Sequence, residues 1–295
     1  MDKVLTICVW TGAAIFSIIN LRYPVLPEYQ YSLEGEGETL LYAGIDVGST
    51  TSKYVLLREG EIVSSALVDM GIGTAGPERA YSNALAAAGA APEDIACCAA
   101  TGYGRAAWKG ADLTISELTA HGLGNHFLFP QVRTVIDIGG QDAKVIQLDA
   151  NGWMASFVMN DKCAAGTGRF LEVMANVLRI PIGDLEMLAA QAEKAAPISN
   201  TYTVFAESEV ISQLAAGAPV PDVVAGICAS VASRVAALAK RAGVKEQVCM
   251  SGGVAQNGGV RRALEQALGV PIVWSPQAQM AGALGAALHA WHKSS

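Results

Sequence analysis

Clustered basic residues are missing from this chain. Its 20 lysines and arginines are outnumbered by 27 aspartates and glutamates, which gives a formal net charge of −7. A nucleic-acid surface needs a basic stripe, and none runs through the sequence, which argues against that class of partner. Patterned cysteines are missing as well: Cys8, Cys97, Cys98, Cys163, Cys228 and Cys249 follow neither a disulfide framework nor a zinc-finger spacing. Cys97, Cys98, Cys228 and Cys249 stand among apolar neighbours and read as small core residues. His121, His126, His289 and His292 show no metal-binding spacing and read as core or surface residues.

A small-residue cleavage site is likewise absent ahead of the Pro24–Glu38 stretch. Val4–Leu21 is an uncharged, mostly apolar run, and about eighteen such residues is the lower limit of a bilayer span. Lys3 and Arg22 on its flanks give no orientation. Residues 22–40, with Pro24, Pro27 and glutamates interleaved with glycine, read as a solvated linker. Residues 1–40 are therefore expected to form an extension outside the fold, with an apolar anchor as the alternative, and the protein is expected to be cytoplasmic. The 295 residues suffice for a large core in two lobes. Apolar residues make up 52% of the chain, but much of the excess is alanine and glycine in stretches such as Ala225–Ala242 and Ala278–Ala290. That composition suits close helix packing.

What is present is a repeated hairpin. Ile45-Asp46-Val47-Gly48-Ser49-Thr50-Thr51-Ser52-Lys53 recurs as Ile136-Asp137-Ile138-Gly139-Gly140-Gln141-Asp142-Ala143-Lys144. Each copy reads as strand, tight polar turn, strand: Leu41–Val47 into Lys53–Leu57, and Val135–Ile138 into Lys144–Leu148. Gly48, Gly139 and Gly140 allow a sharp turn with N–H groups close to a ligand, and Ser49, Thr50, Thr51, Ser52 and Gln141 add short donors. Such a turn suits phosphate oxygens. Asp46 and Asp137 end their strands where a carboxylate can hold hydrated Mg2+ or orient a water. Lys53 and Lys144 close the two copies, and the pair predicts a nucleotide cleft between two lobes.

Farther along, Asn160–Gly168 runs into a predicted helix over Arg169–Leu178, which places Cys163 just ahead of a helix N-terminus. A thiol there suits a metal ligand or a reactive group, or simply fits a glycine-rich turn. Thr201–Glu209 leads into an apolar stretch, with Glu207 and Glu209 expected in a first helical turn. Val248–Met250 reads as a strand ending at Ser251-Gly252-Gly253-Val254-Ala255-Gln256-Asn257, followed by a helix over Val260–Leu268. In a nucleotide cleft, Gly252, Gly253, Gln256 and Asn257 are where adenosine would rest. Pro271–Trp274 reads as a short strand, and the helix after Gln277 is expected to return to the first lobe.

Ile45–Lys53, Ala100–Arg105, Asp137–Lys144, Met159–Phe170, Thr203–Glu209 and Ser251–Asn257 together resemble the ATPase activators of 2-hydroxyacyl-CoA dehydratases, a group related to the ATPase subunits of benzoyl-CoA reductase. The resemblance covers roughly residues 42–291. It implies an α/β, actin-like and sugar-kinase-like ATPase fold with two ribonuclease-H-like lobes. The expected division is residues 1–40 as extension, 41–133 with 275–293 as the first lobe, and 134–274 as the second. It further implies ATP with Mg2+, and a homodimer sharing one 4Fe–4S cluster. The resemblance also implies that a low-potential electron passes to the dehydratase from a donor such as ferredoxin or flavodoxin. The first family cysteine maps onto Cys163. The second position holds Tyr202, and Ala120 stands where many relatives carry a cysteine, so two copies offer two matching thiolates where four are expected. Two other readings stay open: a cluster-free, nucleotide-gated binding module, and a small-molecule kinase with Asp161 as its candidate base.

Overall fold

Ten strands form two five-stranded sheets with one and the same order among the described residues, which are 40–199 and 203–294 of a computed structural model. The first sheet contains β1 (Leu41–Val47), β2 (Ser52–Arg58), β3 (Glu61–Val68), β4 (Ile95–Thr101) and β5 (Leu113–Thr114), in the order β3-β2-β1-β4-β5. The second contains β6 (Thr134–Ile138), β7 (Ala143–Leu148), β8 (Met154–Asn160), β9 (Val248–Ser251) and β10 (Ile272–Val273), in the order β8-β7-β6-β9-β10. In each, the first three strands are antiparallel and the last two join in parallel. The sequence repeat is thus a repeat of whole lobes. Cys8 and the apolar run Val4–Leu21 fall outside the described residues, and so does Tyr202.

Alternation along the strands decides which helix covers which face. Leu41, Ala43, Ile45 and Val47 of β1, with Tyr54 and Leu56 of β2, pack beside Ala80, Ala84 and Leu85 of α1 (Gly76–Ala88). The opposite face of β2, Val55 and Leu57, meets Ala283, Leu284, Ala287 and Leu288 of α8 (Ala281–Ser294). Helix α2 (Glu117–Leu128) lies against α8. A β-carbon on Gly44 would come within 2.1 Å of the Ala283 carbonyl oxygen, and one on Gly285 within 1.8 Å of the Ala120 carbonyl oxygen. Strand, α8 and α2 therefore touch backbone to backbone, which explains the alanine and glycine excess.

The second sheet packs on α3 (Gly168–Leu178), α4 (Leu185–Ala190), α5 (Thr203–Ala215), α6 (Val220–Ala242) and α7 (Gly258–Leu268). Helix α6 is long and apolar enough to cross a membrane, but 72% of its apolar window is buried, with Val223, Ile227, Val231 and Val235 in the core of this lobe. Because α5 runs from Thr203, Glu207 and Glu209 lie in its second turn and not in its first. Glu209 accepts instead from the Ser199 backbone N–H, tying the helix to the preceding segment.

Candidate active site

The two copies of the hairpin are alike down to single hydrogen bonds. In β1 and β2, Asp46 stands directly across from Lys53; in β6 and β7, Asp137 stands across from Lys144. The Gly48 N–H donates to the Thr51 carbonyl at 3.0 Å and the Gly139 N–H to the Asp142 carbonyl at 2.9 Å, so both turns close the same way. They face each other closely: a β-carbon on Gly140 would reach within 2.5 Å of Thr50 Oγ1. Between them opens a cleft of about 370 Å3. Asp46, Gly48, Ser49, Thr50, Thr51 and Lys53 line one wall, and Asp137, Gly139, Gly140, Asp142 and Lys144 the other.

A third wall comes from the turn after β9, where Gly252, Gly253, Gln256 and Asn257 all reach the cleft. Gly252 has φ +81°, and a β-carbon there would sit 2.3 Å from the Ile138 carbonyl oxygen, so glycine is needed for both reasons. Asn257 also caps α7, its Oδ1 accepting from the Val260 N–H at 3.1 Å. The helix accordingly starts at Gly258, two residues before the predicted Val260. Leu171, Ile182 and Val254 give this end an apolar lining.

Four of the predicted residues stand elsewhere. Ser52 is fully buried and its hydroxyl donates to the Met70 carbonyl at 2.7 Å, because as the first residue of β2 its side chain turns inward. Gln141 is exposed at the tip of its turn and does not line the cleft; Asp142 does. Cys163 is half-buried and outside the lining, in a turn held by Asn160 Nδ2, which donates to its carbonyl at 3.0 Å. Asp161, the kinase candidate, pairs with Lys162 at 3.0 Å and is also outside the lining.

Sequence reasoning missed Glu117 and His121. Both belong to α2, one turn apart on one face, and both reach across to the second hairpin. Glu117 Oε1 accepts from Lys144 Nζ at 2.8 Å, and His121 Nδ1 lies 3.1 Å from Asp137 Oδ1. The latter contact lacks hydrogen-bond alignment and acts as a charge contact when the ring is protonated. Their i, i+4 spacing was the available signal, but nothing local to it names a partner some twenty residues on.

The Asp137 carboxylate borders the cleft but is almost wholly buried, held by three neighbours. Ser251 Oγ donates to Oδ1 at 2.8 Å, and Lys144 Nζ lies 3.4 Å from Oδ2. Burial opposes its charge, yet His121 and Lys144 outweigh burial and hold the carboxyl far below the usual carboxylate range. Lys144 is buried too, which disfavours an ammonium; Asp137, Glu117 and Asp142 around it nevertheless push its pKa up. For His121, burial works against protonation and the Asp137 charge more than compensates, so its pKa is raised.

A family profile now decides the identity. The BadF/BadG/BcrA/BcrD ATPase family matches residues 43–290. The chain belongs to that family. It is an ATP-hydrolysing enzyme with an actin-like, sugar-kinase-like fold. This ATPase is 57% identical over 253 residues to the (R)-2-hydroxyglutaryl-CoA dehydratase activating ATPase of Acidaminococcus fermentans, a match covering 85% of this chain and 97% of that protein. It is 52% identical to the activator of lactoyl-CoA dehydratase of Anaerotignum propionicum, covering 84% and 96%. The crystal structure of the A. fermentans component A superposes with a TM-score of 0.84 at 56% identity, covering 86% of this chain and 99% of that one. The activator of 2-hydroxyisocaproyl-CoA dehydratase from Clostridium difficile, solved with ADPNP bound, also gives 0.84, at 48% identity, covering 86% and 96%. The ethanolamine utilization protein EutJ of Carboxydothermus hydrogenoformans shares the fold at 17% identity, with a TM-score of 0.56 over 86% of this ATPase and 91% of EutJ.

The cleft suits Mg2+ with ATP. Hard carboxylate oxygens from both lobes converge on it, and Mg2+ favours a few carboxylates together with phosphate oxygens and its own waters. An iron–sulfur cluster fares differently. Among the described residues no group of three or more histidine, cysteine or acidic side chains could hold a metal. Cys97, Cys98, Cys228 and Cys249 are buried in the core, and burial pushes the Cys98 thiol up to about 11 and Cys228 to about 12. That leaves Cys163 as the one described thiol placed for a ligand. The described thiols do not complete a four-thiolate site, even in duplicate.

Proposed function

We propose that this ATPase is an activator of a 2-hydroxyacyl-CoA dehydratase, acting in the cytoplasm as a homodimer whose ATP cleavage drives low-potential electron delivery to that partner. Ferredoxin or flavodoxin is the donor class in this reading; a 4Fe–4S cluster would supply the electron-carrying chemistry, and Cys163 would hold it in part. The dehydratase-activator relatives at about half identity or better over nearly their whole length support the partner class. One structural observation supports the coupling. The Gly168 N–H donates to the Gly139 carbonyl at 2.9 Å and the Arg169 N–H to the Gly140 carbonyl at 2.8 Å. The first turn of α3 thus hangs from the second phosphate turn, and the loop carrying Cys163 immediately precedes it. A movement of Gly139 and Gly140 on phosphate release is carried straight into that loop, as in a hinge transmitted between lobes.

In the cleft, Ser49, Thr50 and Thr51 present donors to phosphate oxygens from one side and Gly140 from the other, while the Gly48 and Gly139 N–H groups close the two turns that shape the site. Lys53 supplies positive charge, and Asp46 and Asp137 hold the hydrated Mg2+, which neutralises the phosphates during transfer. Gly252, Gly253, Gln256 and Asn257 carry the adenosine. The hinge lies between a lobe of residues 41–133 with 275–293 and a lobe of residues 134–274. Asp46→Ala and Asp137→Ala are each expected to lower ATP turnover at least a hundredfold; unchanged turnover in both removes this assignment.

Tyr202 favours a second reading, a nucleotide-gated binding module without a cluster. Iron and acid-labile sulfide analysis of anaerobically purified, reconstituted protein separates the two. Iron and sulfide near four per dimer support the cluster; their absence supports the module. Brown colour restored by Tyr202→Cys identifies the tyrosine as the cause.

A further inference from the structure

Phosphoryl transfer to water needs a group that orients the nucleophile, and the five acidic side chains around the phosphate end of the cleft are not equivalent. Asp46 Oδ2 is taken by Lys53 at 2.9 Å. Asp137 is enclosed by Ser251, His121 and Lys144, with 2% of its side chain exposed. Asp142 accepts from Lys144 at 2.8 Å and from the Tyr103 hydroxyl at 3.4 Å. Asp69 is exposed at the rim. Glu117 alone combines orientation with access. Lys144 fixes it through Oε1 at 2.8 Å, its other oxygen has no hydrogen bond among the described residues, and 22% of its side chain remains exposed to the cleft. It is also the first residue of α2, whose Ser116 cap receives the Thr119 N–H at 3.2 Å, so its backbone is anchored.

We propose that Glu117 positions the attacking water and accepts its proton during ATP cleavage, with Lys144 as the residue that positions Glu117. The water oxygen forms the new bond to the γ-phosphorus. The bond from that phosphorus to the bridging oxygen breaks, its electron pair remaining on ADP. The proton passes to the Glu117 carboxylate and then to the released phosphate. This assignment rests on the ATPase activity and not on the dehydratase partner or the cluster, so absence of iron leaves it standing. It also gives α2 a purpose: the helix packs on the first lobe but carries the catalytic carboxylate to the second hairpin, so the water is aligned only when the lobes meet.

The test is steady-state ATP hydrolysis with Mg2+ by the full-length Glu117→Gln protein, beside calorimetric binding of the non-hydrolysable ATP analogue ADPNP. General-base loss is expected to lower kcat about 10²- to 10⁴-fold, while KM and analogue affinity stay within about threefold. Glu117→Ala provides a second readout, because formate in solution can occupy the vacated carboxylate position and raise turnover again, an effect that a purely structural role does not produce. Unchanged kcat in Glu117→Gln overturns the proposal. So does a loss of kcat matched by an equal loss of nucleotide affinity, without formate rescue of Glu117→Ala.

Discussion

Lys53 and Lys144 occupy the same place in two copies of one hairpin, yet their removal should have unequal effects. Lys53→Met takes the partner from a single carboxylate, Asp46, at 2.9 Å. Lys144→Met leaves three carboxylates around one vacated point: Asp142 and Glu117 at 2.8 Å and Asp137 at 3.4 Å, in surroundings where the lysine side chain was 3% exposed. Losing one charged hydrogen-bond partner costs about 1.5–3 kcal/mol. Stripping the cation from a buried ionic cluster costs about 3–5 kcal/mol. At roughly 2–4 °C per kcal/mol for a domain of this size, Lys144→Met should lower Tm by about 6–20 °C. Glu117, partly exposed, contributes the least of the three. Urea titrations of both variants, without nucleotide, provide the comparison. Two further results should accompany it. Millimolar Mg2+ should restore part of the loss in Lys144→Met and little in Lys53→Met, because only the former gathers three unneutralised carboxylates. Adding Glu117→Gln to Lys144→Met should cost less than Glu117→Gln alone, with a coupling of about 0.5–3 kcal/mol. If Lys144→Met is no less stable than Lys53→Met, the electrostatic reading of this cluster is wrong.

Alkaline stability should depend on Cys98. Burial raises its folded-state pKa from 9.0 to about 11, so the fold prefers the neutral thiol; the resulting stability is complete below pH 9 and lost as pH climbs toward 11. The loss is about 2–3 kcal/mol. Cys98→Ala should flatten that part of the pH profile in chemical denaturation, and an identical slope in both proteins counts against it. Gly285→Ala should destabilise by about 1–3 kcal/mol, since the new methyl would fall 1.8 Å from the Ala120 carbonyl oxygen and part α8 from α2. Alanine's better helix propensity, about 1 kcal/mol, works the other way, so a Tm at or above wild type refutes the packing argument.

Much of the architecture could be read from local pattern. The two hairpins have the predicted strands and the same Asp-to-Lys register, because short alternating runs around a glycine turn leave the backbone few options. The helix after Gly168 and the return of α8 to the first sheet followed from periodicity and composition. The misreadings have different causes. Ser52 sits in the right turn, but as the first residue of β2 its side chain goes to the buried face; Gln141 stands exposed at the tip of its turn, outside the cleft lining. Glu207 and Glu209 looked like first-turn residues because the helix start before them carries no sequence mark.

By itself, then, the sequence determined the doubled hairpin, the glycine turns and the family, each of which is carried by short contiguous runs of residues. Tertiary structure decided the chemistry of the cleft. Glu117 and His121 acquire a role only because α8 lies on both β1 and α2 at backbone distance and sets α2 against the second hairpin. Charges that meet across two lobes are neighbours in space alone, and no local spacing encodes that meeting.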